Sequence, residues 1–507
     1  MKIIVNVYNL YAVLINIIAS FATKISDRAR VVMMNGSLLL LSGLCLLRYC
    51  NHDIREFLHY NDYKISGAVI LLLVLLIASV DRKIGLKKSE GFNKAFMTGW
   101  LICFVLIITT AFFYYVKSDY LWWGILSVTI FPLIWITWYK RNDFYLLCNY
   151  IARIMVLLSY IYLAFNLLMS AFITNSFYAE GLDDSFLGIA ANPNGNGLIV
   201  IPFFTSALYL LITEKKKGFV YLLSMSISLM LIIISNTRTA ELAVILEIFA
   251  AIALYLRHCE NYTHYKLTKS AVIAIIAAFT ISVLAGSILI CFDRIDSHVY
   301  AESGETEEWT PLVEEMAETT STVYEDKTLN KLNEVSSGRL LLWIAYSKIL
   351  KFTGHGNPKG EVFLNYPSSR WAHNNAIDIW YASGFLAFIG YVVWLLTGWS
   401  FVFRCLFSKN KYKKEYMLTA LAFIGYFTEA MLEITIYPMC TGIVFLMYMT
   451  LIPIAFKNER DGTRFTTERA SNRSIPLTDD KEKRQKTSHN EDILPPPTKS
   501  TGADRNW

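Results

Sequence analysis

Apolar residues in this chain gather into repeated runs separated by short polar clusters. The runs approach the roughly 20 residues that a helix needs to cross a hydrocarbon core of about 30 Å. They predict spans at about 3–22, 31–48, 65–80, 96–116, 120–138, 147–174, 195–213, 218–235, 240–256, 269–292, 374–402, 416–433 and 438–456. A soluble core has no need of such repetition. Only helices and closed barrels satisfy the backbone in lipid, and unbroken apolar runs are helices, whereas barrel strands alternate. The pattern predicts an all-α polytopic integral membrane protein with about 12–13 transmembrane helices.

The polar clusters set the orientation. Lys24, Arg28 and Arg30 follow the first run, and Arg82, Lys83, Lys87 and Lys88 follow the third. Lys140 and Arg141, Lys215 to Lys217, Arg257 and Lys266, and the lysines from Lys409 to Lys414 mark every second loop thereafter. Loops between them are short or acidic, as at Glu180, Asp183 and Asp184. Basic loops stay on the cytoplasmic side, so a multi-pass protein of the bacterial cytoplasmic (inner) membrane with a cytoplasmic C-terminus is expected. The first run carries Asn6, Asn9 and Asn16, which are costly in lipid. Thirteen helices follow if it spans, and twelve if it lies at the interface. Its only early basic residue is Lys2, so cleavage as a signal peptide is not expected.

Two segments break the membrane pattern. Residues 293–372 form a large extracytoplasmic loop between the helix bundle of 1–292 and that of 373–456. The first half of this loop is acidic. Its second half predicts an amphipathic helix over Gly338 to Lys351, broken by Gly354-His355-Gly356-Asn357-Pro358. Residues 457–507 form a polar cytoplasmic tail that lacks the apolar content for a core and is expected to be disordered.

Composition agrees: the chain is 54% hydrophobic and 17% charged. Its formal net charge of +6 reflects the basic loops, so nucleic acid is not an expected partner. The eight cysteines lie in or beside apolar runs without CxxC spacing or a Cys/His cluster, so neither a disulfide framework nor a metal site is expected.

The topology carries Arg238, Arg339 and His373 to one outer face. Arg238 lies in the tight turn Ser235-Asn236-Thr237-Arg238-Thr239, where it either snorkels to the interface or, with its polar neighbours, holds an anion. Arg339 opens the amphipathic loop helix. There free N–H groups and a guanidinium fork suit a phosphate; the plainer reading is a solvated surface arginine. His373, in Arg370-Trp371-Ala372-His373-Asn374-Asn375, is the side chain best matched to proton transfer near neutral pH, or else an interfacial histidine with a satisfied hydrogen bond. Asp378 is a possible orienting partner at an imperfect spacing, and His355 is a second-choice base. Asn192 and Asn194, in Asn192-Pro193-Asn194-Gly195-Asn196-Gly197, together with Arg370, Asn374, Glu429 and Glu433, are candidate substrate-binding residues. Intramembrane carboxylates such as the last two are functional candidates by default.

In ordered combination these segments resemble the bacterial O-antigen ligase and polysaccharide polymerase superfamily. The resemblance rests on Asn192-Pro193-Asn194, on Thr237-Arg238-Thr239, on Ser337-Gly338-Arg339 through Trp343 to Gly354-His355-Gly356, and on Ala372-His373-Asn374. It spans about 190 residues, and the first 180 match only as generic membrane helices. The resemblance implies a membrane glycosyltransferase, independent of metal or other cofactor, that uses a glycan carried on undecaprenyl diphosphate at the outer face and inverts the anomeric centre. It implies that Arg238 and Arg339 bind the diphosphate and that His373 activates an acceptor hydroxyl. Polymerisation of surface or capsular polysaccharide repeat units is the leading expectation. An O-antigen ligase acting on a lipid or protein acceptor is the alternative. A lipid-linked glycan flippase, from another class, predicts charged residues along the mid-membrane.

Overall fold

The computed structural model describes residues 2–22, 24–48, 50, 62–79, 92–114, 119–141, 144–169, 188–190, 193–214, 218–258, 276, 280, 327–335, 339–356, 372–407, 415–433 and 437–456. Among these residues every element is helical and no strand forms. Apart from residues 276 and 280 the run at 269–292, most of the acidic half of the loop, and the tail lie outside the described residues.

The apolar runs emerge as α1 (Lys2–Ala22), α2 (Asp27–Leu47), α3 (Asp62–Ala78), α4 (Lys94–Tyr114), α5 (Asp119–Arg141), α6 (Phe144–Met169), α7 (Pro193–Thr213), α8 (Gly218–Ile234) and α9 (Arg238–His258). The loop contributes α10 (Lys327–Val335) and α11 (Arg339–Ile349). The chain then continues as α12 (Asn375–Ser383), α13 (Phe385–Phe407), α14 (Glu415–Leu432), α15 (Gly442–Thr450) and α16 (Ile452–Ala455). Among the described residues seven helices, α2, α4, α5, α6, α7, α9 and α13, are long and apolar enough to cross a membrane. Shorter apolar helices lie within α1, α3, α8 and α14. The chain is an all-α multi-pass membrane protein.

Two predicted spans are broken rather than continuous. The run at 374–402 divides at Gly384, whose φ of 87° ends α12 and re-aims the chain into α13. A Cβ on Gly384 would stand 2.5 Å from the Phe352 carbonyl oxygen, so no side chain fits there. The run at 438–456 is interrupted at Leu451, and Pro453 lies in the first turn of α16, where its missing N–H costs nothing. Hydropathy averages over both breaks because the residues on either side remain apolar.

Buried aromatics tie the bundle together. Trp100 of α4 meets Trp135 of α5 at 5.0 Å between ring centroids, Trp394 of α13 at 5.5 Å and Tyr448 of α15 at 5.2 Å. Two of the indole nitrogens find acceptors: Trp100 Nε1 donates to the Ser127 carbonyl at 3.0 Å and Trp135 Nε1 to the Tyr448 carbonyl at 2.7 Å. Beside this cluster α4 and α13 approach backbone to backbone through a reciprocal glycine pair. A Cβ on Gly99 would lie 2.7 Å from the Gly390 oxygen, and one on Gly390 would lie 2.7 Å from the Cys103 nitrogen. Small residues permit such close helix contact in a membrane. Gly390→Ala is therefore expected to destabilise the protein by about 1–3 kcal/mol, the usual cost of overpacking. A melting temperature in detergent equal to that of wild type would contradict this.

The α11 helix is held by a small core of its own, built from Tyr346, Ala372 and Tyr381 with Leu342, Ile349, Leu350 and Ile377 packed against it. The segment after α11 is stitched to the α12–α13 junction. His355 N donates to the Tyr381 carbonyl at 2.7 Å, Gly356 N to that of Ala382 at 2.9 Å, and Phe385 N to that of Phe352 at 2.9 Å. Gly354, at φ 78°, sits where a Cβ would come within 2.6 Å of the Gly384 nitrogen. The Gly354-His355-Gly356 motif thus fixes the loop helix onto the membrane bundle.

Candidate active site

Four helix ends converge at one end of the bundle: the start of α9, the start of α11, the residues just before α12, and the end of α14. Their meeting point is Glu433. One carboxylate oxygen, Oε1, accepts a hydrogen bond from Arg339 Nη2, and the other, Oε2, lies 3.0 Å from His373 Nδ1. Arg339 Nη1 also reaches Thr239 Oγ1 at 3.4 Å. The Arg339 and Glu433 side chains are 11% and 12% exposed, whereas His373 is 32% exposed. A largely buried ion pair therefore backs a histidine that still reaches the surface.

The local sequence explains each placement. Glu433 follows the last residue of α14 and continues its hydrogen-bond ladder, its N–H donating to the Glu429 carbonyl at 2.6 Å. Asn374 caps α12, its Oδ1 accepting from the N–H groups of Ala376 and Ile377 at 3.0 and 3.3 Å. Asn374 Nδ2 donates to the Met431 carbonyl at 3.1 Å, which ties the start of α12 to the end of α14. His373 occupies the left-handed region at φ 52°, rare for a residue with a Cβ. Flanking bonds hold it there. Trp343 Nε1 donates to the Ala372 carbonyl at 2.9 Å, and Ala372 N donates to Asp378 Oδ1 at 3.1 Å. Strain held in this way is typical of residues at functional sites.

Asp378 therefore accepts from the backbone before the histidine, and the hydrogen-bond partner of the ring is Glu433. Since a carboxylate accepts, Nδ1 carries the proton toward Glu433, which leaves the Nε2 lone pair available as a base. His355 is engaged elsewhere. Its Nε2 lies 2.7 Å from the Ile349 carbonyl and its ring stacks on Tyr381 at 4.3 Å between centroids, a role in packing α11 rather than in chemistry.

The remaining candidates take various places. Arg238 is exposed in the first turn of α9, adjacent in sequence to the Thr239 that contacts Arg339. Asn194 is exposed in the first turn of α7. Its neighbour Asn196 is fully buried, accepting from Tyr162 Oη at 2.6 Å. Gly197 allows this segment to meet the arginine turn, because a Cβ there would lie 2.7 Å from Thr237 Cγ2. Asn192 and Arg370 lie outside the described residues. Glu429, one helical turn before Glu433, is fully enclosed, with Thr441 Oγ1 at 3.4 Å. Arg153 of α6, not itself a candidate, pairs at 2.6 Å with Glu214, the residue that follows α7. Thr239 and Trp343 belong to the motifs named in the sequence, which gave neither a role of its own; here Thr239 contacts Arg339 and Trp343 holds the Ala372 peptide.

The arrangement can do three things chemically. A histidine with a fixed tautomer can accept a proton, two arginines can compensate an anion, and a shared carboxylate can hold the base and one arginine in register. Among the described residues no three His, Cys, Asp or Glu side chains assemble as metal ligands. Comparison with curated proteins and with solved structures gives no match. Residues 223–392 match the family model described as O-Antigen ligase, which bears out the superfamily resemblance over a stretch that holds Arg238, Arg339 and His373 and ends before Glu429 and Glu433.

Proposed function

We propose that the protein is a membrane glycosyltransferase that moves a glycan from undecaprenyl diphosphate to an acceptor hydroxyl, with His373 as general base, Glu433 as its positioning carboxylate, and Arg339 and Arg238 at the diphosphate. The observation that carries this reading is the single carboxylate of Glu433 shared by His373 and Arg339. It couples the residue suited to the acceptor with the residue suited to the leaving group. The family match supports the reaction class.

The acceptor O–H gives its proton to His373 Nε2, and its oxygen forms a bond to the anomeric carbon on the face opposite the diphosphate. The bond from that carbon to the diphosphate oxygen breaks, and the electron pair leaves with undecaprenyl diphosphate. The negative charge gathering on the leaving group is met by Arg339 and Arg238, in a site where low dielectric strengthens such contacts. Glu433 stabilises the transient imidazolium. Arg339 uses Nη2 on Glu433 and Nη1 on Thr239, and its five-donor fork leaves further N–H groups for phosphate oxygens. Binding donor and acceptor together supplies the proximity term. The alternation of basic loops along the sequence supports an orientation with this end of the bundle outside the cytoplasmic membrane, the side on which the lipid-linked donor would be met.

Arg339→Ala is expected to weaken donor interaction by about 1.5–3 kcal/mol, the range for a hydrogen bond to a charged group. Unchanged donor affinity and rate would remove Arg339 from the site. The reaction type is tested by product pattern, with protein in liposomes and one defined lipid-linked oligosaccharide. A ladder of longer lipid-linked glycans is expected from a polymerase. Product that forms only after a lipid or protein acceptor is added would assign a ligase. Movement of the donor across the bilayer without covalent change would assign a transporter and overturn the proposal.

A further inference from the structure

The end of α13 remote from the histidine site carries a feature that glycosyl transfer does not use. Leu396, Trp399, Ser400, Phe403, Arg404 and Phe407 line a groove of about 520 Å³. Leu396, Phe403 and Phe407 are more than half exposed, and they recur along one face of the helix. The rings form a ladder, with Trp399 stacked on Phe403 at 5.4 Å and Phe403 on Phe407 at 6.2 Å. Its base is fixed to α14, where Trp399 meets Phe427 edge-on at 4.9 Å and Phe423 at 5.8 Å. The groove therefore has one rigid aromatic wall and opens to the side of the bundle.

Its polar end is cationic. Arg404 Nε donates to the Ser400 carbonyl at 3.1 Å, which keeps the guanidinium against the groove. Arg404 lies nineteen residues along α13 from Phe385, roughly 28 Å at the helical rise, so it sits at the opposite membrane boundary from His373. In the sequence Lys409, Lys411, Lys413 and Lys414 follow within ten residues, with no carboxylate before Glu415. An apolar groove that ends at Arg404, with four lysines next in the sequence, matches a molecule with a hydrocarbon chain and an anionic head. A zwitterionic lipid would leave the local positive charge uncompensated. Arginine supplies the paired donors that a phosphodiester accepts.

We propose that this groove is a binding site for an anionic glycerophospholipid, its acyl chain along the Trp399–Phe403–Phe407 ladder and its phosphate at Arg404. The site is independent of the glycosyltransferase reading. It gives the bundle a lipid anchor at the end where α13 meets α14.

Native mass spectrometry of the full chain, with equal amounts of phosphatidylglycerol and phosphatidylethanolamine of identical acyl composition, tests the proposal. Wild type is expected to retain phosphatidylglycerol over phosphatidylethanolamine by about fivefold or more, the scale expected for one engaged basic residue. In Arg404→Gln the ratio is expected to fall toward one. Ser400→Trp, which fills the groove and leaves the charge in place, is expected to lose the selective lipid as well. Any anionic lipid held at the histidine site is common to all three proteins, so the difference between them reports the groove. Equal retention of both lipids by wild type, or an unchanged ratio in both variants, overturns the proposal. So does displacement of the lipid by free glycerol 3-phosphate, which would assign the site to a soluble phosphate.

Discussion

Replacing His373 with asparagine is expected to lower turnover by about 10²–10⁴-fold, the usual contribution of a positioned general base. Asparagine is the informative substitution because His373 sits at φ 52°. Alanine would add backbone strain to the loss of the imidazole, whereas asparagine tolerates the left-handed region. The clamps around the residue, from Trp343 and Asp378 to the Ala372 peptide, do not involve the imidazole and should survive. A folded His373→Asn protein with near-normal turnover would remove the histidine from the mechanism.

Glu433→Gln is expected to have the second large effect, a fall in turnover of about 10²–10⁴-fold, by analogy with the loss of the carboxylate that orients a catalytic histidine. Two consequences combine in this variant. The amide no longer fixes the imidazole tautomer or stabilises its charged form, and the largely buried Arg339 loses its counter-charge. Removing one partner of a buried pair commonly costs about 3–5 kcal/mol, so a lower melting temperature should accompany the lost activity. Glu433→Asp keeps the charge and is expected to retain more activity than Glu433→Gln. Equal activity in the two variants would argue against an electrostatic role for Glu433. Full activity in Glu433→Gln would contradict the shared-carboxylate geometry as a working part of the site.

Much of this was legible in the chain. The helices follow from apolar runs, and α11 begins at Arg339, within the predicted amphipathic segment. The single loop of residues 293–372 carries Arg339 and ends beside His373, so the sequence expects both at one face; their meeting at Glu433 comes from the structure. The less legible parts depend on contacts between distant segments. Glu433 lies 60 residues from His373 and 94 from Arg339, so no local spacing reveals that it bridges them. Asp378 was a reasonable partner for the histidine by proximity. It serves the Ala372 peptide instead, because His373 stands in the left-handed region just ahead of α12. The break at Gly384 was hidden for a different reason. Hydropathy records which residues are apolar, whereas this break is set by positive φ and by the approach of Phe352 and Gly354. Similarly, Gly99 and Gly390 look unremarkable in two apolar runs until their helices are paired.

The most direct test of the central claim is the release of undecaprenyl diphosphate from a defined lipid-linked repeat unit, measured in liposomes for wild type and His373→Asn side by side. The same repeat unit supplies both donor and acceptor hydroxyl. Wild type should release the lipid diphosphate in step with formation of a lengthened glycan, and His373→Asn should release it about 10²–10⁴-fold more slowly. Equal release by the two proteins, with both folded and inserted, would contradict the assignment of this site as the centre of glycosyl transfer.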